Sequence, residues 1–208
     1  INYKDKAIEY DDMGNPISIG NRTFTWREGS LLASVDEGTK HIEYNYDAGG
    51  LRTQKKVNGK VIDYLTMGTR LMGIRDGDEE YTFIYSGAGQ RLGMIFQDDV
   101  YYYIYDGHGN VVSMMNDQGQ KVVEYYYDSW GNQQVSGNMA NTLGVAKPFR
   151  YRSYMYDEET GDYYCLSRYY DPEMMRFVNA DAVAVVNSLS GLNVYAYCYN
   201  DPIGYTDS

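Results

Sequence analysis

The residues best suited to chemistry in this chain are few and widely separated. Two cysteines, Cys165 and Cys198, and two histidines, His41 and His108, are the soft-metal ligands and nucleophiles available. They fall in no Cys-x-x-Cys or His-x-x-x-His spacing, so a zinc site is not expected. The cysteines read as two small buried hydrophobes. Asp76-Gly77-Asp78-Glu79-Glu80 concentrates carboxylates but lacks the ordered oxygen ligands of a twelve-residue calcium loop, and reads as an acidic hairpin tip. Gly87-Ala88-Gly89 is a turn and not a phosphate cradle, because no helical pattern follows it. No cofactor and no metal is expected.

The elements that must position these residues are strands. The 208 residues hold 25 tyrosines and 22 glycines against 4 prolines, the composition of pleated, half-buried surfaces joined by tight turns. An aromatic recurs about every twenty residues, at Tyr10, Trp26, Tyr46, Tyr64, Tyr85, Tyr105 and Tyr127. A glycine stands four places later at Gly14, Gly50, Gly68, Gly89, Gly109 and Gly131; after Trp26 it comes early, at Gly29. Asp at the turn start bonds its own backbone, and Gly supplies the positive φ that closes it. A second set of turns lies between, at Glu37-Gly38, Asn58-Gly59, Asp76-Gly77, Asp98-Asp99 and Gln118-Gly119. Turns every ten residues or so leave strands of about five to eight residues, a long antiparallel meander. One such repeat cannot cover its own apolar face, so neighbours must stack or the sheet must curl. Residues 133–147 carry Ser, Asn, Gly, Thr and Ala and read as an exposed loop. Pro172 to Ala180 reads as a short helical turn.

Net charge is −11, which repels phosphates and argues against a nucleic-acid partner. No apolar run approaches the roughly 18 residues of a membrane span. Ile1 to Asp5 lack a signal-peptide layout and read as the middle of a repeat, so the chain reads as a piece of a longer protein.

Tyr46-Asp47-Ala48-Gly49-Gly50-Leu51-Arg52, Tyr105-Asp106-Gly107-His108-Gly109-Asn110 and Tyr127-Asp128-Ser129-Trp130-Gly131-Asn132 resemble the YD repeat of Rhs proteins, teneurins and insecticidal toxin-complex C subunits. Pro148-Phe149-Arg150-Tyr151-Arg152, Tyr156-Asp157-Glu158-Glu159-Thr160-Gly161, Arg168-Tyr169-Tyr170-Asp171-Pro172 and Arg176-Phe177-Val178-Asn179-Ala180-Asp181 resemble the Rhs-associated core domain in order and spacing. So does the closing run through Asn193-Val194-Tyr195-Ala196-Tyr197, Asn200-Asp201-Pro202-Ile203 and Tyr205-Thr206-Asp207. The resemblance divides the chain into YD repeats over 1–132, a linker over 133–147 and a core domain over 148–208, cut before the end of its second motif. It implies an all-β fold, the arc of a hollow β-shell with a C-terminal plug. It also implies a bacterial protein, secreted or at the cell surface, that encapsulates and delivers a toxin. The implied partners are a C-terminal toxin domain of the same parent chain and further repeats before Ile1.

In the family, two aspartates similar in role to an aspartic-protease dyad cut the chain and release the toxin. By position in the motif these are Asp181 and Asp207, with Arg176 as a supporting charge. Two carboxylates held close cannot both ionise easily, so one can act as base while the other donates a proton. The first motif reads Asp181-Ala182-Val183-Ala184, without the usual Pro and Gly, and the second stops at Asp207-Ser208, before any scissile bond. Asp201-Pro202-Ile203-Gly204 aligns with the segment just upstream of the second motif. Arg150, Arg152 and Arg168 could pair with Asp157, Asp162 or Asp171, as exposed ion pairs of small worth. A third reading is an adhesive module whose tyrosines stack on glycans; the expectation set against it is that they pack the sheet itself.

Overall fold

A computed structural model describes residues 1–180 and 193–207. The chain is all-β, with β1 to β15 following one another in sequence order as a long antiparallel meander. Two compact units divide it: residues 1–59 with 159–208, and residues 60–158.

In the first unit the strands are β1 (Asn2–Tyr3), β2 (Lys6–Tyr10), β3 (Pro16–Ile19), β4 (Arg22–Arg27), β5 (Leu31–Glu37), β6 (Lys40–Tyr46) and β7 (Arg52–Val57). In the second they are β8 (Lys60–Met67), β9 (Arg70–Asp76), β10 (Glu79–Tyr85), β11 (Arg91–Phe96), β12 (Asp99–Tyr105), β13 (Val111–Met115), β14 (Lys121–Tyr127) and β15 (Gln133–Ser136). Alternation buries one face. Phe24, Leu32, Val35, Ile42 and Tyr44 line it in the first unit, and Phe83, Met94, Phe96, Met114, Val123 and Tyr125 in the second.

The repeat is built from a turn, a bulge and a cap. At Asp106 the amide donates to the Asn110 carbonyl at 3.1 Å, and the Asp106 carboxylate accepts the amides of His108 and Asn110, both at 2.9 Å. Gly109, at φ 79°, closes the turn. The same bonds recur at Asp11, Asp47 and Asp128. Gln118-Gly119, expected as a hairpin of the second set, forms this five-residue turn as well: the Asn116 amide donates to Gln120 and that of Gly119 to Asn116.

A bulge follows the turns at Asp11, Asp47, Ser86, Asp106 and Asn116, whereas after the turn at Asp128 the strands β14 and β15 pair without one. Tyr85 pairs with Arg91 while Ile84 pairs with Gly93, so Leu92 is the extra residue. Ile17, Ala33, Thr53, Met72 and Val112 occupy the same slot. A bulge interrupts the ladder, and the carbonyl of its first residue is bonded instead by the aromatic of the next repeat. Trp26 Nε1 donates to Pro16 at 2.7 Å; Tyr46, Tyr85, Tyr105 and Tyr127 hydroxyls donate to Leu32, Leu71, Arg91 and Val111 at 2.6 to 2.9 Å. At Trp26, Tyr46, Tyr85, Tyr105 and Tyr127 the recurring aromatic is therefore a cap that reaches back to the preceding repeat. A Tyr127→Phe protein should lose about 1–3 kcal/mol in urea unfolding, since the Val111 carbonyl is left without its donor. An unchanged midpoint would show that water replaces it.

The segment expected as an exposed loop over 133–147 is partly regular. Gln133–Ser136 forms β15 on β14, and a helical turn, α1 (Leu143–Ala146), buries Leu143. The strand escaped detection because it lies at the sheet edge and three of its four residues are exposed, so no apolar alternation marks it.

In the second unit β16 (Met155–Asp157) follows an irregular segment in which Phe149 bridges Met155. In the first unit β17 (Asp162–Tyr164), β18 (Tyr169–Asp171) and β19 (Arg176–Phe177) form an antiparallel ladder. The helical turn expected over Pro172–Ala180 is instead the tight turn of the β18–β19 hairpin, with Met175 at φ 59°. The ladder is held by aromatic rings. Tyr170 lies 4.0 Å from Tyr197 and 5.9 Å from Phe177 between centroids.

Candidate functional site

Charge pairing between repeat and core decides how the core segment of the first unit is held. Arg22, on β4, donates from Nη1 to both Asp162 carboxylate oxygens at 3.1 and 3.0 Å and from Nη2 to Asp171 at 2.5 Å. All three side chains are buried. Burial alone would lower the guanidinium pKa; Asp162 and then Asp171 outweigh it and raise it above its usual value. Sequence reading offered Arg150, Arg152 and Arg168 as partners of these aspartates. The structure gives Asp162 and Asp171 to Arg22, some 140 residues away, and makes the contact buried where an exposed one was expected.

Two further cations of the repeats complete the clamp. Lys55 bonds Glu159 at 2.6 Å. Arg52, 2% exposed, lies 4.4 Å from the Tyr164 ring and 5.4 Å from that of Tyr44, and its backbone amide donates to the Tyr164 hydroxyl oxygen at 3.0 Å. Cations on β4 and β7 thus meet carboxylates and ring faces of residues 159–171. Arg22 and Arg52 carried no signal in the sequence beyond being arginines in strands with an apolar face.

Of the expected aspartates, Asp207 is described and Asp181 lies outside the described residues. The Asp207 carboxylate, about a quarter exposed, meets Arg168 Nη2 at 3.4 Å through either oxygen. Arg168 itself stacks on Phe177 at 3.5 Å. Arg176 lies over the rings of Tyr195 at 4.2 Å and Tyr3 at 5.4 Å. Cys165 and Cys198 are both free thiols. Burial and then the nearby Asp207 carboxylate push the Cys165 thiol well above its usual pKa, against the opposing pull of Arg168. Cys165, Arg168 and Asp207 therefore gather at one place, and the thiol there is a poor nucleophile.

Aromatic hydroxyls that cap bulge carbonyls are already committed to the sheet. Among the described residues the rings left exposed are Tyr3, Tyr102, Tyr126, Tyr199 and Tyr205, and the last two pack on each other at 5.6 Å. Among the described residues no group of three or more His, Cys, Asp or Glu is placed to hold a metal, and no helix is long and apolar enough to cross a membrane.

The family model "Teneurin YD-shell" matches residues 1–203. The chain belongs to that family. The YD-repeat resemblance read from the motifs is therefore borne out, as is the all-β meander. Among curated relatives of this YD-shell chain is the tRNA nuclease WapA of Bacillus subtilis strain 168, 36% identical over 98% of the chain and 9% of the relative. Another is the tRNA(Glu)-specific nuclease WapA of Bacillus subtilis subsp. natto, with the same identity and coverage. The YD-shell chain thus spans about a tenth of the length of these relatives. The solved structure of TcdB2-TccC3 matches 95% of the YD-shell chain and 11% of its own chain with a TM-score of 0.77 at 18% identity, a likeness of fold.

Proposed function

We propose that this YD-shell segment walls off a toxin carried by its parent chain, and that residues 148–208 close the shell and mark the toxin's boundary. The observation that carries the reading is the buried Arg22 clamp. It fixes part of the core segment against the repeat strands of its unit, as a closure must be fixed, where a tethered domain would make few such contacts. Two relatives support it: the tRNA3(Ser)-specific nuclease WapA of Bacillus spizizenii and the tRNA(Glu)-specific nuclease WapA of Bacillus subtilis subsp. natto share this stretch at 36% identity while their printed names differ in tRNA specificity. A common carrier with an exchangeable cargo accounts for both. The parent would act outside the cell, with further repeats before Ile1. The test is limited proteolysis of the parent protein with and without Arg22→Met. The intact protein should keep its C-terminal cargo uncut while the variant releases it to protease. Equal cutting of both, at the rate of free cargo, would sink the encapsulation reading.

A second reading, self-cleavage by Asp181 and Asp207, draws on the half-enclosed Asp207 carboxylate oriented by Arg168. With the parent's downstream residues present, Asp207→Asn and Asp181→Asn should each leave the chain in one piece on a denaturing gel. Processing at the original rate in either variant would end that reading.

A further inference from the structure

The second unit buries more positive charge than it pairs. Lys147 is fully buried, with its ammonium 3.8 Å from the Tyr125 ring and 5.4 Å from that of Tyr103. Its Nζ donates to nothing among the described residues, and the Tyr103 hydroxyl, also buried, is likewise unpartnered. Arg91 stacks on Phe149 at 3.1 Å and donates to the Tyr85 hydroxyl at 3.4 Å; among the described residues it pairs with no carboxylate. Arg150, 1% exposed, bonds Glu158 and the Gly144 carbonyl. Lys147 and Arg91 thus lie together with no carboxylate bonded to either among the described residues. A buried ammonium without a counter-charge is costly, and ring faces recover only part of the loss.

We propose that Lys147 Nζ and Tyr103 Oη form an anion site that takes a small inorganic monoanion such as chloride. Both groups are donors, neither has a hydrogen-bond partner among the described residues, and the ammonium lies over the ring that carries the hydroxyl. Arg91 and Arg150 add positive field from one side. Full burial of Lys147 limits the occupant to the size of a single ion and excludes organic carboxylates. Burial, then Arg150 and Arg91, pull the Lys147 pKa well below its usual value when nothing is bound. An anion would offset all three effects and keep the ammonium charged.

The probe is halide itself. The 208-residue chain is unfolded in urea at fixed pH and ionic strength while gluconate, too large for so deeply buried a place, is exchanged for chloride or bromide. Above half-saturation each tenfold rise in halide should raise the folding constant of the native chain about tenfold. Lys147→Met should hold within about twofold over the same range, and Tyr103→Phe, which keeps the ring and removes one donor, should lose most of the response. In bromide-soaked crystals the anomalous peak should lie within hydrogen-bonding reach of Lys147 Nζ. A flat response in the native chain, an equal response in Lys147→Met, or bromide found only at other places would overturn the proposal.

Discussion

An Arg22→Met protein is expected to lose about 3–5 kcal/mol of unfolding free energy, the range for removing one partner from a buried ion pair. Methionine fills much of the arginine's stem volume, so the loss measures charge more than packing. Asp162 and Asp171 would remain buried with their shared guanidinium gone, two like charges in a poorly solvated place. The control is the triple variant Arg22→Met, Asp162→Asn, Asp171→Asn. Neutralising all three should restore a large part of the loss, because the cost lies in stranded charge. A single variant that unfolds at the native urea midpoint would show that water reaches the carboxylates and that the clamp is weak.

Gly93→Val should be nearly as damaging, for reasons of space. Gly93 directly follows the bulge residue Leu92 and pairs with Tyr102 on β12. A Cβ there would sit inside contact distance of the Tyr101 carbonyl oxygen and 3.0 Å from the Tyr102 Cα, both backbone atoms that no rotamer change can move. Its φ is ordinary, so the penalty is overpacking, on the order of 3 kcal/mol. The same slot holds Ser18, Ser34, Gly73 and Ser113 in other repeats. Gly73 has its nearest backbone oxygen at 2.8 Å, so Gly73→Val should cost less. Amide hydrogen exchange should report the damage in β11 and β12, with the amides of β13 and β14 less affected. Equal unfolding midpoints for the native chain and Gly93→Val would mean the strands separate at little cost.

The turns were legible because Asp and Gly act on their own backbone, within four residues of where they stand. The twenty-residue period followed from them, and with it the meander. The role of the aromatic was not legible. Its hydroxyl, or the indole N–H of Trp26, reaches a carbonyl ten to sixteen residues back only because a bulge has freed that carbonyl, and the mark that bulges leave in the composition is slight: a Ser or Gly follows most of them, but Gln54 follows another. The Arg22 clamp was hidden for another reason: a strand arginine facing inward reads like any other until the carboxylates 140 and 149 positions on are seen beside it. β15 was missed because exposure erases the alternation that strands otherwise show. Of the two aspartates that the motifs pointed to, Asp207 is placed beside Arg168, a residue that the same motifs had offered to other carboxylates.

The caps all point one way. Tyr46 serves a bulge in the strand before it, as do Tyr85, Tyr105 and Tyr127, and none serves a strand that comes later. A chain leaving the ribosome therefore finishes no repeat by itself: each waits for its successor to emerge before its last carbonyl is satisfied. Folding would trail synthesis by one repeat, and a chain halted at any repeat would end on a bare carbonyl. Tyr151, whose hydroxyl donates to Ser129, shows the first residues past the repeats already reaching back in the same direction.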